Sequence, residues 1–254
     1  MTDTGTASAK IQIGQVMRQT FGVLGRNFPT FLILSLLLVG IPALIQALGQ
    51  PRVNLGTVPA VAPANQLLNG VGSILFLIGY YILVGALTSG AVADLNGRKV
   101  GLSEALRVGL RRFWPLVGLV IVMSLGMVLG FLVLIVPGLW LLPAWSVVVP
   151  VKVVENVPFG QTFSRSLALT KGNRWRIFGL MLLYGLVILV VEGLFVVVAG
   201  GLRALLSSGV LVFVLPLANV LSCMVTATGT AALYFELRRV REGVGPEALA
   251  SVFD

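Results

Sequence analysis

Histidine is missing from this chain, and one cysteine, Cys223, serves all 254 residues. Histidine-based catalytic triads and Cys/His zinc sites are therefore excluded, and no disulfide can form within one copy. Charge is scarce too. Charged residues make up 11% of the sequence, against about 25% in an ordinary soluble domain. No phosphate-cradling glycine motif and no nucleotide fingerprint occurs. What fills the space is apolar: 57% of positions are hydrophobic, and the mean hydropathy is +1.00. A water-soluble fold of this length has no way to cover so much apolar surface, so lipid is the expected solvent.

A bilayer core about 30 Å thick takes about 20 helical residues at a rise of about 1.5 Å each. Six stretches meet that requirement, near residues 28–48, 68–93, 115–135, 139–155, 177–199 and 210–236. The third and fourth share one charge-free run from Phe113 to Val151, about twice the length of a single span. Pro137-Gly138 predicts a tight hairpin between them. Pro143 and Pro150 in the fourth span predict either a simple kink or a break that frees backbone carbonyls. The first apolar run exceeds the usual signal-peptide core of about 7–15 residues and follows several charged residues, so it reads as a retained helix. Pro63 directly after Ala60-Val61-Ala62 disfavours cleavage there. One membrane domain over 11–242 is expected, between short mobile ends at 1–10 and 243–254.

The 18 basic residues then sort by side. With six spans, Lys10, Arg18, Arg26, Arg98, Lys99, Arg107, Arg111 and Arg112 share one face. Lys152, Arg165, Lys171, Arg174, Arg176, Arg238, Arg239 and Arg241 join them there. Only Arg52 and Arg203 fall opposite. Short cytoplasmic loops carry the excess of Lys and Arg, so this partition places both termini in the cytoplasm. Five spans would spoil it. Trp114 and Trp175 open the third and fifth spans, and Trp140 is expected at the outer hairpin, since indole rings prefer headgroup depth.

Before each odd-numbered span lies a segment of helical period too polar to cross. In the first, Ile13, Val16, Met17, Phe21 and Leu24 share a face; in the second, Leu102, Ala105, Leu106, Leu110 and Phe113; in the third, Phe159, Phe163, Leu167 and Thr170. Basic residues oppose them, which fits helices lying in the interface. The even spans each end on an acid: Asp94, Glu155 and Glu236. The pattern divides the chain into three units, 11–94, 102–155 and 158–236, either an internal repeat or a convergence imposed by entering a membrane from a basic surface.

Glu192 is the one acid well inside a span, and an intramembrane ionisable group is a functional candidate by default. The alternative is structural, with Glu192 reaching the outer interface or pairing with Arg203. Asn219, Ser222, Cys223, Thr226 and Thr230 recur at spacings of three and four, so they share one helical face. They form either a polar path with Glu192 or ordinary interhelical hydrogen bonds, worth about 0.6–2 kcal/mol each. Gly126 and Gly130 form a G-x-x-x-G packing signal. The three border acids can hold a divalent cation if they converge. Each also has a base within a few residues, which favours local ion pairs.

The run Pro137-Gly138-Leu139-Trp140, with Pro143, Ala144, Trp145 and Glu155, leads into Phe163-Ser164-Arg165-Ser166. Leu169-Thr170-Lys171-Gly172-Asn173-Arg174-Trp175-Arg176-Ile177-Phe178 follows, and Leu233-Tyr234-Phe235-Glu236-Leu237-Arg238 stands near the end. Together these resemble the membrane domain that precedes the catalytic domain in some bacterial glycerophosphoryl diester phosphodiesterases, and stand-alone bacterial membrane proteins built from it. The resemblance implies an all-helical bacterial membrane domain. It does not carry over the phosphodiesterase activity, because too few residues follow Gly243 to hold a catalytic domain.

The resulting expectation is an all-α, polytopic inner-membrane protein of six transmembrane helices and about three cytoplasmic interfacial helices. It is read as non-catalytic, without metal or cofactor. Arg107, Arg111, Arg112, Arg165, Lys171, Arg174 and Arg176 are expected to meet anionic lipid headgroups at about 1 kcal/mol each, or a membrane protein partner, and no nucleic acid. The alternative is a small transporter using Glu192, Asn219, Ser222 and Thr226.

Overall fold

The computed structural model describes residues 10–50, 63–133, 135–205 and 211–243. The expected mobile ends, Arg52 and the Ala60–Ala62 pattern lie outside those residues, as does the side chain of Arg203. The described residues form helices α1 (Ile13–Arg26), α2 (Phe28–Ser35), a π-helical turn (Leu36–Gly40) and α3 (Ile41–Leu48). There follow α4 (Pro63–Leu95), α5 (Leu102–Val133), α6 (Ile135–Trp145) and α7 (Val148–Glu155). The remainder are α8 (Phe159–Thr170), α9 (Arg174–Leu205) and α10 (Leu211–Glu242), with no strand among the described residues. Six helical stretches are long and apolar enough to cross a membrane: Phe28–Leu48, Ala64–Leu95, Leu102–Leu132, Gly138–Glu155, Arg174–Gly201 and Phe213–Glu242.

Local chemistry explains the breaks. Asn27 ends α1, its side-chain amide donating to the carbonyl of Val23 at 3.1 Å, and Pro29 occupies the first turn of α2, where no N–H is needed. Pro42 has no N–H to offer the carbonyl of Leu38, and the ladder widens into the π turn just before it. Gly79 of α4 presses against that same carbonyl.

Three expectations change. α5 ends at Val133 and α6 starts at Ile135, so Pro137-Gly138 form part of the first turns of α6 and not the expected hairpin. Proline is tolerated there because first-turn N–H groups have no intrahelical acceptor. The polar segment 102–113 is not a separate interfacial helix; it runs unbroken into α5, which stays helical through Pro115 even though that residue has no N–H to offer the carbonyl of Arg111. And the fourth span breaks at Ser146–Val147, between the two prolines suspected of breaking it.

α8 packs against that break. Its buried residues are Thr162, Ser166, Leu169 and Thr170, while Phe159, of the expected apolar face, is exposed. The reason is a carbonyl: the Ser166 hydroxyl donates to the Ala144 oxygen at 2.8 Å, and the Thr170 hydroxyl approaches the same oxygen at 3.4 Å. A carbonyl beside a helix break needs a donor more than a phenyl ring needs burial. α1 is likewise rotated from the expected face. Val16, Thr20, Val23 and Leu24 are buried and Phe21 is exposed, because the Thr20 hydroxyl meets the Tyr184 hydroxyl at 2.5 Å.

Tertiary contacts gather the basic segments onto one end of the bundle. The Arg239 guanidinium donates to Gln15 at 2.8 Å, and the Arg176 guanidinium to the Ile11 carbonyl at 2.8 Å. Arg26 meets Asp94, and Arg165 meets both Glu155 and Glu242. The first and last described helices therefore end together. The Arg174 guanidinium also stacks on the Trp140 ring, 3.6 Å from the centroid. Along α6, Trp145 meets Phe163, Ala144 meets Ser166 and Thr170, and Trp140 meets Arg174. α6 thus runs back along α8 towards the start of α9. Gly126 and Gly130 of α5 lie against Trp145 and Leu141, so the G-x-x-x-G serves packing within the chain.

Candidate functional site

At the basic end the three border acids each hold a base. Asp94, almost fully buried, accepts from Arg26 at 2.5 Å and from the Asn27 amide at 2.9 Å. Those hydrogen bonds raise the Arg26 pKa above its ordinary value, against the desolvation that lowers it. Glu155 accepts from Arg165 at 2.9 Å and from the Tyr234 hydroxyl at 2.8 Å. The Arg165 pKa is raised, first by its hydrogen bond to Glu155 and also by Glu242, again against desolvation. Glu236 is wholly buried and accepts from Arg239 at 3.0 Å. Two of the three pairs are tertiary rather than local: α1 to α4, and α8 to α7. Among the described residues, no three Asp, Glu, Cys or His side chains stand close enough to hold a metal ion.

The basic residues named from the sequence divide into two groups. Arg165 is tied into ion pairs, Arg174 stacks on Trp140, Arg112 hydrogen-bonds Asn156, and Arg176 binds the Ile11 carbonyl. These hold the fold together. Arg107, Arg111 and Lys171 are exposed and belong to no ion pair among the described residues. Arg107 and Arg111 are also one turn apart on α5, so their charges share a face.

A polar groove of about 440 Å³ beside α1 was not singled out from the sequence. Gln12, Gln15, Arg18, Gln19 and Arg26 line it, with Leu95 from α4. Its signal was the recurrence of long donors at 12, 15, 18 and 19, a polar face bordering the side that carries Val16 and Val23.

The intramembrane seam is assembled only in part. The Ser222 hydroxyl donates to Glu192 at 3.2 Å across α9 and α10, as their shared depth predicts. Thr226 and Thr230 instead donate to carbonyls of their own helix, those of Ser222 and Thr226. Asn219 is exposed. A cleft of about 240 Å³ between α6, α9 and α10 is lined by Ser146, Tyr184, Thr226 and Thr230 among apolar neighbours, and Glu192 does not line it. Glu192 opens onto the outer surface of the bundle. α9 runs on to Leu205, about 20 Å beyond Glu192 at 1.5 Å per residue, past Gly201 where its apolar stretch ends. A charged side chain near a helix centre costs about 2.5–3.5 kcal/mol on insertion scales.

Comparison of the chain with protein-family models, with curated proteins and with solved structures finds no match. Its class rests on the fold itself. Among the described residues it is all-helical, with six helices long and apolar enough to cross a membrane, the architecture of a multi-pass membrane protein.

Proposed function

We propose that this is a non-catalytic bacterial inner-membrane protein whose basic end faces the cytoplasm and engages anionic lipid headgroups or a partner protein. The resemblance to the membrane domain of glycerophosphoryl diester phosphodiesterases supports the setting without supplying an activity. One observation carries the reading: Arg107, Arg111 and Lys171 stand exposed and have no acidic partner among the described residues, while neighbouring bases are spent on internal contacts. Arg18, in the groove beside α1, adds a fourth cation with amide donors around it. Bases near an anionic surface contribute about 1 kcal/mol each, and salt screens that contribution.

The test is reconstitution into nanodiscs of mixed phosphatidylethanolamine and phosphatidylglycerol, with native mass spectrometry of the retained lipid. Phosphatidylglycerol enrichment is expected in the unaltered protein and should be lost in Arg107→Gln/Arg111→Gln/Lys171→Gln. Equal enrichment in both proteins would remove the proposal. The transporter alternative rests on the Glu192–Ser222 contact, without a described cavity that reaches Glu192, and it ranks second.

A further inference from the structure

α9 is the least covered of the long helices. Its most apolar 18-residue stretch buries none of its residues, and it packs chiefly on α10. Exposed leucines alone mean nothing in lipid. The exposed residues of α9 nevertheless include a seam at alternating steps of three and four: Leu182, Gly185, Leu189, Glu192 and Val196. That is the spacing of a helix face that packs on another helix. Gly185 has no neighbour within 4 Å of where a side chain would begin, so nothing in the fold requires a glycine there. Small residues in membrane helices let a second backbone come close.

We infer that this seam is where a second copy of the chain docks, the two α9 helices packing face to face around Glu192 and Asn219. The choice of occupant follows from the hydrogen-bonding groups. Glu192 on α9 and Asn219 on α10 are both exposed, and the Ser222–Glu192 bond places them within about one helical turn. An acceptor and a donor on one patch satisfy each other twice across a two-fold axis, the Asn219 amide of each copy meeting Glu192 of the other. A second copy also brings its polar groups to the same membrane depth automatically. Lipid chains offer Glu192 no donor at all.

The test uses the full chain in vesicles, with Cys223→Ser as background. Leu189→Cys should form a disulfide-linked dimer on oxidation, and Leu125→Cys, on the exposed face of α5, should not. By single-molecule photobleaching across a dilution series in lipid, Glu192→Ala and Asn219→Ala should each weaken the dimer about tenfold, the loss of two interhelical hydrogen bonds. Gly185→Leu should also weaken it without lowering the melting temperature of the monomer, since an added Cβ meets nothing within 4 Å in its own chain and helix propensity favours leucine over glycine. A chain that stays monomeric at every dilution overturns the inference. So does a dimer that crosslinks equally through Leu125→Cys, one indifferent to Glu192→Ala, or crosslinking of Leu189→Cys only to a different protein.

Discussion

Gly79 shows how much a single position can decide. It sits where α4 crosses the π turn, and a Cβ there would overlap the carbonyl of Leu38, the one left without a donor by Pro42. Backbone atoms cannot move aside as a flexible side chain can. Gly79→Ala should therefore destabilise the protein by about 1–3 kcal/mol, the usual cost of overpacking, read as a lower melting temperature in detergent. Gly179→Ala on α9 is the control: no atom stands within 4 Å of its added carbon, and helix propensity favours alanine by about 1 kcal/mol. Both glycines look alike as letters in an apolar run. The border acids are an intermediate case. Asp94 was legible as a helix-end acid needing a base, but its partner proved to be Arg26, far away in sequence, and not one of the nearer bases.

At the scale of elements, α8 and the broken pair α6–α7 depend on each other. The Ser166 hydroxyl supplies the Ala144 carbonyl with its closest donor. Ser166→Ala should cost about 1–3 kcal/mol, the penalty for a buried acceptor left unpaired. Hydrogen exchange should quicken at the amides of Ser146 to Val149 and of Val151, where the helix restarts. Unchanged exchange there would show that the break is held by something else. The existence of α8 was readable from its period and its flanking Pro158 and Gly172. Its buried face was not, because hydrophobicity ranks phenylalanine above serine and has no way to register a carbonyl exposed by a break in another helix. The same limit applies to 102–113: polarity suggested a separate surface helix, yet the backbone continues as one helix through Pro115.

On the scale of the whole molecule, contacts bring α1, the ends of α4 and α10 and the start of α9 into one basic layer. In a Cys223→Ser background, Arg18→Cys and Arg107→Cys should react with a membrane-impermeant thiol reagent from the same side, since Arg26–Asp94 and Arg98–Glu104 tie α1, the end of α4 and the start of α5 together. Labelling of the two from opposite sides would require α1 to leave the arrangement described here. The layer also explains why only some bases are free to meet a partner: a guanidinium already stacked or paired inside the protein has spent most of its donors.

The amino-acid sequence alone determined the solvent, the number of long apolar helices and the segregation of basic residues, because each follows from local composition and from the fixed thickness of a bilayer. Tertiary structure decided where chains of contact close: which arginines are bound internally, which face of α8 turns inward, how α6 folds back, and that Glu192 faces outward. Those depend on backbone groups freed by breaks and on side chains far apart in sequence, and periodicity along one helix carries no record of what lies across from it.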